Sequence, residues 1–306
     1  MFPIIAGATA AEAVYPNDEG LFGFGSTAVS SFLATTNLVS NTGVAGSDVA
    51  GVGTARNALA ACEYGGDKGI FGYGHSLGVY HNQTNLVSNT GVVAGDVTGV
   101  GQTRSSLAAC DYGGDKGIFG YGTDGVTGDV SMTNLVSNLG VVATDTTGVG
   151  TERQSVAACE YGGTKGIFGY GWDAPSASGA LNLVSNTGVV ASDTTAVGTA
   201  FAYRFACSYS ADRDKGIFRG GYNGGIVSTS NLVSNGGVVA TDTTGVGTAA
   251  RSGGGCEYGQ DKGIFGYGYG SCFTAVTNLV SNTGVVAGDV AGTGTAREQL
   301  PACSFN

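Results

Sequence analysis

The 306-residue sequence predicts an all-β fold, a six-bladed β-propeller of four-stranded antiparallel blades with the ring closed by the C-terminal strand. Three observations carry this expectation. A marker, Asp115-Lys116-Gly117-Ile118-Phe119-Gly120-Tyr121-Gly122, returns with small changes, its apolar core starting at Leu21, Ile70, Ile118, Ile167, Ile217 and Ile264. Spacings of 47 to 50 residues between copies are the signature of units that bury a face only against their neighbours. Composition agrees: 57 glycines, 4 prolines and 42% hydrophobic residues are too apolar for disorder and too broken by glycine for long helices. Finally, Leu300-Pro301-Ala302-Cys303-Ser304-Phe305 repeats the segment that precedes each later marker, which a ring needs to complete its first blade.

Within the second unit four β-like pieces are legible. Leu59–Tyr64 is the first, and the turn Gly65-Gly66-Asp67-Lys68 leads into the second, Gly69–Gly74, because glycine and aspartate tolerate positive φ. The third is Asn85–Asn89 running to Gly91–Ala94, and after a turn at Gly95–Thr98 the fourth is Gly99–Thr103. Four short strands in about 48 residues match one blade. Alternation in the second strand puts Phe71 and Tyr73 on one face and Ile70, Gly72 and Gly74 on the other, so the aromatic pair of each blade is expected against the glycine face of its neighbour. Small residues such as Ala60 and Ala61 suit the crowded axis.

Residues 19–306 are read as one propeller and residues 1–18 as an arm that packs on the rim or reaches a partner. Ala13-Val14-Tyr15 also aligns with Cys62-Glu63-Tyr64, so two segments compete for the first blade; the C-terminal copy, which carries the repeat cysteine, is preferred. Met1–Ala6 lacks a basic region, so no signal peptide is inferred, and no apolar run reaches the roughly 18 to 20 residues of a transmembrane helix. A formal net charge of −10 disfavours nucleic acid and anionic membrane as partners. Cys62, Cys110, Cys159, Cys207, Cys256 and Cys303 share one repeat position and read as reduced, buried small hydrophobes, whereas Cys272 falls in a loop.

The order of these pieces resembles a divergent kelch repeat: a small-residue inner strand, a second strand ending in glycine, a polar third strand and an arginine in the link to the next unit. The resemblance runs from about residue 19 to the end, although the kelch double glycine stands here as Gly-Tyr-Gly and the tryptophan before the fourth strand is absent. The marker and the string Asn-Leu-Val-Ser-Asn also look like tandem-repeat proteins of phage and marine viruses, which implies a virion-associated tail fibre, host-adhesion or capsid-decorating role. Ala143–Thr151 is similar to the Asp-box of sialidase-like propellers, with one extra residue between aspartate and glycine and no closing tryptophan. An Asp-box is a folding element and implies no glycosidase.

Repeated positions read as structural. Asp48, Asp96, Asp145, Asp193, Asp242 and Asp289 suit Asx-type turns better than calcium, because no further carboxylates accompany each one, and no metal or cofactor is expected. Lys68, Lys116, Lys165, Lys215 and Lys262 occupy the first hairpin turn; if strands alternate, they share a face with those aspartates and can pair with them. Arg56, Arg104, Arg153 and Arg297 recur in the links, where capping of carbonyls at the junction is preferred over a carboxylate site at the channel mouth. Phe201 replaces this arginine in one link and Arg251 is displaced by one position in another.

Non-repeating positions are the candidates for recognition. The connections between strands two and three differ from unit to unit and contain His75, Tyr80, His81, Trp172, Tyr222 and Tyr269, on one face of the ring where varied loops on a rigid scaffold commonly bind ligands, although drift in unconstrained loops gives the same pattern. The fifth unit gains two residues in its first turn and places Arg204, Arg213 and Arg219 near Phe201, which suggests a pocket for an acidic or sugar ligand or the erosion of one repeat. Two histidines in one loop and no phosphate loop, zinc-spaced cysteines or nucleophile elbow argue against an enzyme. The expected function is a non-catalytic binding or structural propeller, virion-associated, that presents its loops to a host glycan or protein and meets other structural proteins through residues 1–18 or the ring face. An intracellular kelch-like interaction scaffold is the alternative. A glycan-cleaving enzyme, resting on carboxylates such as Asp124, Asp129, Glu63, Glu160 or Glu257, comes third.

Overall fold

A computed structural model describes residues 18–306, and the chain there is all-β, with no α-helix among the described residues. Apart from Asp18, the arm and the competing segment at Ala13–Tyr15 lie outside the described residues. Six small antiparallel sheets follow the repeat. The second unit is typical: Ala60–Tyr64 pairs with Lys68–Gly72, which pairs with Thr84–Val87. The first unit is assembled from both ends, since Ala302–Phe305 pairs with Glu19–Gly23 and sets Cys303 opposite Leu21, as Cys62 stands opposite Ile70. Each first strand touches the first strand of the next unit, and Ala302–Phe305 touches both Gly254–Tyr258 and Ala60–Tyr64.

The fourth strand differs from expectation. Gly91–Ala94 does not extend the third strand; the chain turns at residues 88–91 and Val93 returns to bridge Val87, while Val97 bridges Thr84. Gly99–Thr103 forms no strand. Only the fourth unit carries a regular fourth strand, Thr194–Thr195. The cause is local: Gly91 and Gly101 take positive φ, which interrupts a ladder, and side chains hold the outer edge instead. Asn85 donates to Ala94 O and Asp96 Oδ1, and Asp96 accepts from the backbone and hydroxyl of Thr54 in the preceding unit. Asp48, Asp145, Asp193, Asp242 and Asp289 accept likewise from Thr295, Gln102, Thr151, Thr199 and Thr248. These aspartates are therefore ties between units rather than simple Asx turns. They lie at the opposite end of the sheet from the lysines, four of which pair with an aspartate of their own turn, as Lys116 does with Asp115; Lys165 follows Thr164 instead.

Aromatic rings fasten neighbouring units, with one correction to the expected geometry. Phe71 and Tyr73 face opposite neighbours, because Tyr73 adopts a left-handed backbone (φ 67°) that ends the strand's alternation. Phe71 meets Phe24 of the unit before, and Tyr73 meets Phe119 of the unit after, edge to face at centroid distances of 5.1 and 5.2 Å. Such pairs contribute about 0.5–1.5 kcal/mol each beyond area burial. Gly72 is required at this contact, since a Cβ there would stand 2.8 Å from the Phe119 ring. The six repeat cysteines are buried and reduced, their Sγ atoms seated against the glycine that follows each marker lysine or, in the first unit, Glu19.

Buried arginines complete the junctions. Arg56 donates through Nε to Tyr73 O and through Nη2 to Asn85 Oδ1, and its guanidinium lies over Phe24. Arg104, Arg153 and Arg297 reach Asn134, Asn182 and Asn37 in the same way. Where the sequence departs, the contact persists from another position. Arg204, three residues beyond Phe201, bonds Asn231; Arg219 supplies Asn278 in place of Ala250. Gly220 stands where four units have tyrosine and the first has Phe24, and the Phe205 ring occupies that space and meets Phe265 at 5.3 Å. Arg219 thus does not intrude on its neighbour; it fills a junction that lacks its own arginine.

Candidate binding site at the ends of the axial channel

The six first strands surround a narrow channel. Its bore, a cavity of about 130 Å³, is walled by small residues including Ala61, Ala109, Ala158, Ala206 and Ala302. Toward the connections between strands two and three it opens into a cavity of about 400 Å³, with Ala58, Ser106 and Gln299 common to both. Toward the first hairpins it ends in a cavity of about 60 Å³ that shares the alanine wall.

A bridged pair of residues recurs in every unit, and four of the six units bring theirs, in whole or in part, to the wide mouth. The residue after the junction arginine position bridges the first residue of the variable connection: Glu298 with Ser26, Asn57 with His75, Ser105 with Thr123, Gln154 with Trp172, Ala202 with Tyr222 and Arg251 with Tyr269. His75, Trp172, Tyr222 and Tyr269, scattered in sequence, therefore hold equivalent places in their units, but of the four only His75 lines the large cavity. Phe32, His75 and Tyr80 form an aromatic wall, with Phe32–His75 at 6.1 Å and His75–Tyr80 at 5.1 Å. Asn57, Gln154, Gln299 and Phe273 contribute the rest of the lining. Asn57 Nδ2 donates to Gln299 Oε1 at 2.5 Å and to Ser26 Oγ at 3.1 Å, so this part of the floor is held in place. Burial lowers the His75 pKa, which keeps its ring neutral near pH 7. Burial raises that of Glu298, against the pull of Arg251. The Arg251 guanidinium lies 5.3, 5.7 and 5.3 Å from the ring centres of Tyr203, Tyr222 and Tyr269, and its Nε–H finds no acceptor.

Of the remaining candidates, His81 sits behind the wall, its Nε2 2.7 Å from Ser76 Oγ, and Phe201 lies under the Arg204 guanidinium. Arg204, Arg213 and Arg219 do not gather into one pocket: each is buried and bonded within the chain. Sequence reasoning missed Phe32, Phe273 and the ring Asn57, Gln154, Arg251, Glu298 and Gln299. A signal existed, since the position after the junction arginine differs in all six units while the residue before it is arginine in four of them.

The narrow end is of another kind. Glu63, Asp111, Glu160 and Glu257 occupy one repeat position, with Ser208 and Ser304 completing the six. Arg213, in the two-residue extension of the fifth unit's hairpin, enters their midst. Its guanidinium nitrogens reach Glu160 at 2.6 Å, Asp111 at 2.8 Å, Glu63 at 3.2 Å and Glu257 at 3.4 Å. Three of these carboxylates had been weighed from sequence with nothing to pair them; four units and one arginine bring them together. Burial raises the pKa of Asp111, with Glu63 adding to the effect, and burial raises that of Glu160 against Arg213. The carboxylates in turn push Arg213 further up, so it stays charged.

No family model matches the chain, and a search of curated proteins finds no relative.

Proposed function

We propose that the chain is a closed six-bladed, kelch-like propeller that binds a glycan terminus at its loop-face mouth without catalysis, as a virion-associated adhesion or structural protein. The observation that carries the binding reading is the cavity of about 400 Å³ with the wall Phe32–His75–Tyr80 on one side and the amides of Asn57, Gln154 and Gln299 on the floor. Sugars offer apolar C–H faces to aromatic rings and hydroxyls to amides, and cavities of 300–1,000 Å³ with few placed polar groups take small ligands. Glu298 is the one carboxylate in that lining, whereas most glycoside hydrolysis needs two, which favours binding over cleavage. The closed ring is supported by the succession of first-strand contacts from Ala60–Tyr64 round to Ala302–Phe305. The virion setting rests on the resemblance of the marker to viral tandem-repeat proteins.

A glycan array followed by titration calorimetry tests the reading. Binding of a defined glycan, weakened about tenfold by Tyr80→Ala through loss of its stacking surface, is the expected result. No glycan bound, with no attachment to intact host cells, overturns it.

A further inference from the structure

One arginine at the loop face is unlike the rest. Among the described residues every other arginine gives its guanidinium to a hydrogen bond or an ion pair, and Arg251 gives its own to none. The backbone sets its place. Arg251 and Tyr269 exchange two backbone hydrogen bonds of 2.9 Å, and the next residue, Ser252, accepts from Gln299 N at 2.7 Å. Gln299 and Glu298 line the mouth, and so does Phe273, whose ring meets that of Tyr269 at 5.4 Å. The guanidinium thus stands at the edge of the mouth, beside its large cavity. The rings of Tyr203, Tyr222 and Tyr269, at 5.3 to 5.7 Å, stabilise the cation and hold it in position, but they bring no anion.

Nothing else in the chain answers this charge closely. Glu298 feels Arg251, yet no ion pair joins the two among the described residues, and burial disfavours the charged form of Glu298. Asp129, Glu152 and Asp173 act on one another instead, in the third and fourth units, whereas Arg251 opens the sixth. The Arg251 Nε–H is buried without an acceptor, and such a donor costs free energy until one arrives.

We propose that Arg251 binds a carboxylate, and that the glycan terminus taken at the mouth is an acidic sugar. The inference rests on the glycan reading above and names its ligand class. A guanidinium presents N–H donors in a planar fork that matches the two oxygens of a carboxylate. With Glu298 in range, a singly charged carboxylate meets less repulsion than a phosphate dianion. The rest of the sugar lies toward Phe273 and Gln299, which join Arg251 to the mouth.

The test is an array of sialic acid and uronic acid termini, each beside its carboxyl-reduced form, with sulfated and neutral glycans included. The full chain is the analyte, and the glycans it binds are titrated by calorimetry. The best-bound glycan should carry a carboxylate, and reduction of that group to the alcohol should weaken binding about tenfold or more. Arg251→Gln should bring the ratio of the two affinities to within about twofold of one, and Arg251→Lys should keep part of it, as a point charge without the fork. Glu298→Gln should raise the ratio, because it removes an opposing charge. Glycans bound without regard to their carboxyl group overturn this inference and leave the function proposed above standing. Binding confined to sulfated glycans also overturns it. No glycan of any class bound counts against that function itself, and this inference falls with it. The ratio is read first in the unaltered chain, so the proposal stays testable even if Arg251→Gln fails to fold.

Discussion

The two ends of the channel lie six residues apart along the same six segments, yet they obey different rules. At the narrow end one position reads Glu63, Asp111, Glu160, Ser208, Glu257 and Ser304, and a single intruder, Arg213, answers the four acids. At the wide end the position reads Asn57, Ser105, Gln154, Ala202, Arg251 and Glu298, beside a cavity of about 400 Å³. Burial explains the contrast. Where strands crowd together, each charge must find a partner inside the chain, and a change in one unit needs an answer from another. Where the axis opens, water or a ligand answers instead, so units can differ without cost.

The comparison is broken most severely at Arg213. Arg213→Ala removes the guanidinium that four buried carboxylates share and should cost about 3–5 kcal/mol, read from denaturant unfolding, with part of the loss recovered by Arg213→Lys. Acid should also recover it. Asp111 and Glu160 have folded pKa values raised above their unfolded ones, so the folded state binds more protons; their contribution is fully present below about pH 4, the unfolded value, and is lost as pH rises through the folded values. The tie aspartates Asp48, Asp96, Asp193, Asp242 and Asp289 have the opposite sign: their pKa values are lowered, and their contribution is lost as pH falls below about 4. Stability should therefore peak in mild acid. A thermal midpoint that climbs steadily from mild acid to alkaline pH contradicts this account.

A smaller effect is expected at Arg219, which belongs to neither end. Its guanidinium donates to Asn278 Oδ1 at 2.8 Å and Val246 O at 2.6 Å, so Arg219→Gly should cost about 1.5–3 kcal/mol. Adding Ala250→Arg restores the arginine at its usual link position and should return most of that loss. Failure of the double variant to recover would show that the fifth unit's second strand cannot accept the common pattern.

How much of this was legible beforehand follows the same division. Periodicity, the C-terminal first strand and the burial of the repeat cysteines depend on residues at fixed offsets, and a single sequence displays those. The left-handed backbone at Tyr73 was hidden, because alternation reads side-chain direction only while φ stays in the β region. The missing fourth strand was hidden too, since Asn85, Asp96 and Thr54 replace a ladder with side-chain bonds across units. The acid cluster joins residues up to 194 positions apart, from Glu63 to Glu257, and no local pattern announces such a meeting. The mouth lay between these extremes. Its loop residues were found by their failure to repeat, but the paired link positions, which fail to repeat in the same way, were read only for their arginines.

The mildest test separates scaffold from recognition at the wide end. Gln154 bridges Trp172 through backbone bonds of 2.7 and 3.0 Å, and its side chain lines the large cavity. Gln154→Ala keeps both backbone bonds and removes only the amide, so unfolding free energy should move by no more than about 0.5 kcal/mol. Affinity for a glycan that this amide contacts should fall about fivefold, the worth of one neutral hydrogen bond. The corresponding change at the narrow end, Glu257→Ala, removes one of the four acids around Arg213 and should shift stability measurably. Equal effects at the two positions would mean that the mouth is as closed as the base, and the difference between the ends would disappear.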